Sequence, residues 1–304
     1  ILWNTIRNGA IDHIFRTNND SSGNYSYRRS QDGATDGTGV SSTHGCPPYM
    51  GSQNAGGNDA FGNVYVSNLA GKEKLAQGHA VTTQAGAGSG SAPRRQEAVG
   101  KWTNTSVVAN RFDMINGDSG GYNTGSEMVV LGWDPADTHT TNFWEELGSA
   151  DWVSGTSLPT VSFTAKKYLW VQCFTSGGIG GDGANRVSVR VGNGSIDTGN
   201  NYAFRNSENG GTDSTSTSTN RWLTHTGNKK NFTNMFIVNN SANEKLAMYH
   251  TSESSGTGAS SNPSRIEGVG KWANTSSQIN RISVFDYTGG NSFNAGTIKV
   301  WGHD

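Results

Sequence analysis

The sequence predicts an all-β protein of two tandem, jelly-roll-like β-sandwich domains, and three observations carry that prediction. First, Glu97-Ala98-Val99-Gly100-Lys101-Trp102-Thr103-Asn104-Thr105-Ser106 returns 170 residues later as Glu267-Gly268-Val269-Gly270-Lys271-Trp272-Ala273-Asn274-Thr275-Ser276, with eight of ten positions identical. A match of that length, with Glu, Lys and Trp in fixed register, reads as an internal duplication. Second, only 32% of the 304 residues are hydrophobic and glycines number 42, the profile of many short strands joined by many turns. Third, apolar and polar residues alternate with period two in Val187-Ser188-Val189-Arg190-Val191 and again in Arg281-Ile282-Ser283-Val284-Phe285, as half-buried strands require.

Taken in order, the repeats divide the chain into a first sandwich at 1–134, a linker at 135–142 and a second sandwich at 143–304. Leu2-Trp3 is set against Leu169-Trp170, and residues 11–15 against 187–191. On that alignment residues 143–167 have no counterpart, so the first repeat is expected to lack its N-terminal strand. Gly23-Asn24-Tyr25 answers the stretch from Gly199 to Tyr202, and Asn63-Val64-Tyr65-Val66 answers Asn234-Met235-Phe236-Ile237. Glu73-Lys74-Leu75-Ala76 recurs unchanged as Glu244-Lys245-Leu246-Ala247. Asn110-Arg111 matches Asn280-Arg281, and the repeats close on strands at 127–132 and 297–302. Residues 168–174 are apolar on both faces and predict a central strand. Phe143-Trp144-Glu145-Glu146-Leu147 alone has helical character, enough for one turn. Seven or eight strands per repeat suit a jelly roll of two four-stranded sheets.

A net charge of −1 without a concentrated basic face argues against nucleic acid. No apolar run approaches the length of a helical membrane span. Cys46 and Cys173 fall at non-equivalent places and read as buried free thiols, with a disulfide as the alternative. Gly117-Asp118-Ser119-Gly120-Gly121 spells a serine-protease nucleophile motif. It lacks a histidine in suitable context, and the second repeat has Asp286-Tyr287-Thr288-Gly289-Gly290 there, so it reads as a turn. Glu97, Lys101, Trp102 and Arg111, with Glu267, Lys271, Trp272 and Arg281, form the repeat signature. They are expected to be structural: Glu97 paired with Lys101 or Arg111, Glu267 with Lys271 or Arg281, and both tryptophans in packing roles. Asp32 and Asp36, and Asn209 and Asp213, could offer oxygens to Ca²⁺ but suit turns better. The His and Cys spacings match no zinc site. No catalytic residue, metal or other cofactor is expected.

At the closing strands a family resemblance enters. Phe293-Asn294-Ala295-Gly296-Thr297-Ile298-Lys299-Val300-Trp301-Gly302 resembles the ending of many tailed-bacteriophage structural proteins, in which a jelly roll finishes on an aromatic, a turn, a strand and an aromatic-Gly pair. Asn280-Arg281-Ile282-Ser283-Val284 resembles the preceding strand. Phe143 to Leu147, followed by Phe163-Thr164-Ala165-Lys166-Lys167-Tyr168-Leu169-Trp170, is similar to sequences of marine phage. The first repeat departs from the pattern by ending on Leu131-Gly132-Trp133. The resemblance implies a non-enzymatic component of the virion surface, a capsid decoration or fibre element, with no catalytic residues to carry over. Its partners would be copies of itself, a trimer by analogy with phage fibres, and other virion proteins, with neither nucleic acid nor membrane. The alternative is a carbohydrate-binding adhesin or receptor-binding protein that reads cell-surface glycans with loop aromatics such as Tyr49, Tyr122 or Trp133.

Overall fold

The structure is a computed structural model that describes the chain apart from residues 47–51, 54–58, 84–85, 133–141, 154–159, 177, 180–186, 225–229, 255–258 and 288–291. It is all-β: the described residues contain no helix. Two compact units are present, one of Ile1–Gly86 with Arg94–Asp137, the other of Ala87–Pro93 with Thr138–Asp304.

In the first unit a seven-stranded antiparallel sheet runs β12 (Glu127–Val129), β1 (Leu2–Thr5), β7 (Ala60–Ser67), β8 (Lys74–Thr82), β9 (Arg94–Trp102), β4 (Tyr25–Gln31) and β5 (Gly37–Ser42). A smaller sheet of β10 (Phe112–Asn116), β3 (Ile11–Thr17) and β6 (Ser52–Gln53) accompanies it, with a short pair of β11 (Gly121–Tyr122) and β2 (Arg7–Asn8). The core between the sheets holds Trp3, Phe15, Tyr25, Val64 and Trp102. Burying such rings is what makes a sandwich of this composition stable, at roughly 25 cal/mol per Å² of apolar surface removed from water.

The second unit repeats the order. Its large sheet runs β13 (Glu145–Trp152), β27 (Gly296–His303), β15 (Tyr168–Thr175), β22 (Asn231–Val238), β23 (Lys245–Glu253), β24 (Ser264–Trp272), β19 (Tyr202–Glu208) and β20 (Ser214–Thr219). Against it lie β14 (Val161–Ser162), β25 (Arg281–Asp286), β17 (Val187–Asn193) and β18 (Ser195–Ile196), with β21 (Trp222–Leu223) on β17 and a separate pair of β16 (Gly178–Ile179) and β26 (Ser292–Phe293). Leu169, Val171, Val189, Met235, Trp222 and Ile298 are among its core residues. β15 is a central strand as its sequence predicts: Leu169, Val171 and Cys173 belong to the core, while Trp170 stacks on Phe236.

Three expectations are corrected. Among the described residues the strands form a large and a smaller sheet in each unit, seven with three and eight with five, besides a two-stranded pair, rather than four with four. Residues 143–147 do not form a helical turn: Glu145–Trp152 is the edge strand β13, paired with β27 through a bulge between Glu146 and Gly148. An unpaired neighbour strand outweighs one turn's worth of helical propensity, because a short isolated helix is marginal in water. The alignment at the start also shifts. Trp3 lies opposite Gly62 as Cys173 lies opposite Thr233, so Trp3 matches Cys173 and not Trp170. Likewise Thr17, not Phe15, holds the place of Val191, since each accepts the hydroxyl of the equivalent tyrosine, Tyr25 or Tyr202.

Candidate functional site

The repeat signature ends β9 and β24 on tryptophans that sit at the same ladder position. Trp102 lies opposite Tyr25 and Lys74, and Trp272 lies opposite Tyr202 and Lys245. Both rings are 1% exposed. A buried indole N–H needs an acceptor, and each finds a carboxylate: Trp102 Nε1 donates to Asp20 Oδ2 at 2.8 Å, and Trp272 Nε1 to Asp197 Oδ2 at 2.7 Å. The same oxygens accept from Asn24 and Asn201, each at 2.9 Å. Burial raises the Asp20 carboxyl, but the hydrogen bonds from Asn24, Trp102 and Ser22 outweigh it and hold the group below its ordinary range. Five residues beyond each aspartate, Tyr25 and Tyr202 close the corner by donating to the carbonyls of Asp20 and Asp197.

Lys74 and Lys245 complete the arrangement, both with 0% exposure. Lys74 Nζ donates to the carbonyls of Lys72 at 2.6 Å and Asn104 at 3.2 Å; Lys245 Nζ donates to those of Asn243 at 2.6 Å and Asn274 at 2.8 Å. Each ammonium lies 5.9 Å from the ring centroid of its tryptophan. Charge-assisted bonds to carbonyls and a ring face compensate the lost water. Burial still lowers Lys245 to about 8, against a smaller upward pull from Glu244. Asn104 and Asn274 cap the following turns, accepting from the backbone of Ser106 and Ser276 at 2.9 Å each. The repeated Lys, Trp and Asn are therefore tied to carbonyls, a carboxylate and turn amides inside each unit.

The charged members of the signature pair differently from expectation. Glu97 meets Arg95 and, at 3.9 Å, His79; Lys101 meets Glu73 at 3.3 Å; Arg111 meets Asp113 at 2.7 Å. Glu267 meets Arg265, Lys271 meets Glu244 at 3.4 Å, and Arg281 Nε donates to the Gly194 carbonyl at 3.0 Å. The reason is strand geometry. Residues four apart on a strand share a face but lie about 13 Å apart, whereas residues two apart are about 6.6 Å apart.

The other candidates fall out plainly. Ser119 is exposed at a turn, its amide bound to Asp118 Oδ1 at 2.7 Å. Asp32 and Asn209 stand at positive φ of 54° and 52° and accept the amides of Arg95 and Arg265 at 2.9 Å each. Asp36 pairs with Arg28 at 3.1 Å and Asp213 with Arg205 at 3.7 Å, so these loops commit their oxygens to turns and ion pairs. Cys46 and Cys173 are free and buried, and burial pushes both thiols up to about 12. Tyr49 and Trp133 lie outside the described residues. Tyr122 is half-buried, its hydroxyl pushed up to about 12 by burial, its ring 5.8 Å from His13.

Two surfaces emerge that motif reading missed. On the outer face of the first unit's large sheet is a groove of about 740 Å³, lined by Tyr65 on β7, Leu75 and Gln77 on β8, Val99 on β9, Arg28 on β4 and Val40 on β5. On the second unit's large sheet Trp170 stands between Trp301 and Phe236, with ring centroids at 4.9 and 5.9 Å, and Trp144 lies 5.8 Å from Trp170. Strand alternation carried the signal for both, since Tyr65, Leu75, Val99, Trp170 and Phe236 are the apolar residues on a strand's polar face. No known protein family, curated protein or solved structure matches this chain.

Proposed function

We propose that this chain is a non-catalytic structural protein of a virion surface, a capsid decoration or fibre component, working with copies of itself and with other virion proteins. The observation that carries this reading is the fate of the repeated residues. Lys74, Trp102 and Asp20, like Lys245, Trp272 and Asp197, bind one another or backbone carbonyls, so what the two units share is scaffolding. The shared strand order and the shared lysine–tryptophan–aspartate arrangement support descent of both units from one duplicated ancestor. The ending of the second unit, which resembles phage structural proteins, supplies the virion context, and sandwich edges suit association with other chains. Mass spectrometry of gradient-purified particles tests the reading: the protein should copurify at fixed stoichiometry with the major capsid protein, and its presence only in the particle-free fraction would refute it.

A second reading, glycan binding, is favoured by the aromatic row of Trp144, Trp170, Trp301 and Phe236, because flat ring faces suit sugar stacking. Glycan-array binding that disappears in Trp170→Ala with folding retained would support it.

A further inference from the structure

The two units present the same outer sheet face in opposite states. On β23 and β24, Leu246 and Val269 have 0% exposure; their counterparts on β8 and β9, Leu75 and Val99, are 56% and 52% exposed. Met248 is likewise buried where Gln77 is exposed. Ladder registers establish the equivalence: Arg205 lies opposite Val269, which lies opposite Met248, as Arg28 lies opposite Val99, which lies opposite Gln77.

Within the second unit this face carries the segment Ala87–Pro93, by sequence the connection from β8 to β9. Four hydrogen bonds seat it around the buried residues. Gly88 N donates to Glu244 Oε1 at 2.5 Å, Ser89 Oγ to the Asn200 carbonyl at 2.7 Å, Ser218 N to the Ser89 carbonyl at 2.7 Å, and Arg205 Nε to the Pro93 carbonyl at 3.0 Å.

Every anchor has a counterpart around the open groove. Glu73 holds Lys101 at 3.3 Å as Glu244 holds Lys271 at 3.4 Å. Arg28 pairs with Asp36 as Arg205 does with Asp213. Ser41 has the left-handed backbone of Ser218, φ 49° against 47°. Gly23 stands where Asn200 does, and only its carbonyl is needed. The seated segment has a counterpart too. Residues 259–263, Ala-Ser-Ser-Asn-Pro, connect to β24 as residues 89–93, Ser-Gly-Ser-Ala-Pro, connect to β9, with the same turn followed by a bend. Pro93 is buried, whereas Pro263 and Ala259 are exposed. The chain thus carries one filled socket, one open socket and one exposed turn.

We infer that the open groove of Tyr65, Leu75, Val99 and Val40 is the docking site for the turn at residues 259–263 of a second copy of this chain. The second copy's Ala259 carbonyl would accept from Ser41 N and its Pro263 carbonyl from Arg28 Nε, while the apolar floor is covered as Leu246 and Val269 are. Two of the four bonds have no equivalent within this turn: the Gly88 amide bond, because its position precedes residue 259, and the Ser89 hydroxyl bond, because position 259 is alanine. Such a contact joins unlike surfaces, so it propagates head to tail and gives a ring where the rotation closes or a filament where it does not. This inference is independent of the virion reading, because it rests on the sheet faces and the two turns and not on the phage-like ending.

Light scattering on the full chain tests it, with Leu75→Arg/Val99→Arg as the groove variant, Arg28→Ala as a milder one, and Ala259→Glu/Ser261→Glu as the turn variant. Wild type should show at least twice the 32.2 kDa chain mass at about 100 μM, in the range where modest interfaces associate. The groove and turn double variants should each run at single-chain mass with wild-type circular dichroism, and Arg28→Ala should weaken assembly at least fivefold. An equimolar mixture of the two double variants should recover a species of two chains and no larger, since one intact groove and one intact turn remain. A wild type that stays at single-chain mass would overturn the inference. So would assembly that survives both groove variants, a mixture in which no two-chain species forms, or a groove change that abolishes glycan binding while leaving the assembled mass unchanged.

Discussion

Trp102 and Trp272 each fill a core with an indole and direct its single N–H at a carboxylate. Truncation to alanine should cost each unit about 3–5 kcal/mol through lost packing and the cavity left behind. Phenylalanine at either position keeps most of the ring but removes one of the two side-chain donors on the aspartate oxygen, for a loss of about 1.5–3 kcal/mol, the range for a hydrogen bond to a charged group. Denaturant melts resolve the two effects, and a loss below about 0.5 kcal/mol for both phenylalanine variants would mean the indole–carboxylate bonds contribute nothing. Lys245 offers a separate check by NMR of its side chain, which should titrate near 8. Since the ordinary lysine value is 10.5, the unfolded chain binds the proton more tightly between those values. The folded state therefore carries a penalty from this lysine below about pH 8, relieved as pH rises toward 10.5. A value at or above 10.5 would show that its carbonyl bonds fully offset its burial. The tryptophans were legible because they repeat. Their partners were equally present in the sequence, as an aspartate five residues before each tyrosine, but reading for catalytic or metal spacing passed over them.

At the scale of elements, strand register decided what residue identity alone could not. Pairing Leu2-Trp3 with Leu169-Trp170 matches letters, yet it puts a core ring in line with a ring on the outer face. The fold instead places Trp3 over Gly62, where an added Cβ would come within 2.2 Å of the indole. Gly62→Val should accordingly destabilise the first unit by at least about 1–3 kcal/mol, the usual cost of overpacking. Combining it with Trp3→Ala should cost less than the sum of the single changes, because the second substitution vacates the space the first one needs. Strict additivity in thermal or denaturant melts would contradict that packing. Period-two alternation made β17 and β25 readable, and a run apolar on both faces made β15 readable. β13 was missed because Glu145, Glu146 and Leu147 favour helix locally, and its strand character comes from pairing with β27, at the far end of the sequence. The ion pairs were misassigned for a related reason: four-residue spacing joins side chains on a helix, whereas these residues lie on strands.

At the scale of the molecule, composition and the repeat already indicated two β-sandwich units, and the structure is all-β with sheets packed in that manner. No motif marks the groove or the aromatic row; strand alternation places their apolar residues on a sheet's outer face, but which of these faces stays open to solvent depends on the tertiary structure. A virion role makes a direct demand on both units: they must be displayed on the particle. Electron microscopy of intact particles labelled with gold-conjugated antibody against this chain measures that display. Gold distributed regularly over the outer surface of the head or along a fibre is the expected result. Particles that remain unlabelled, while the same antibody detects the chain free in the lysate, would contradict the virion role.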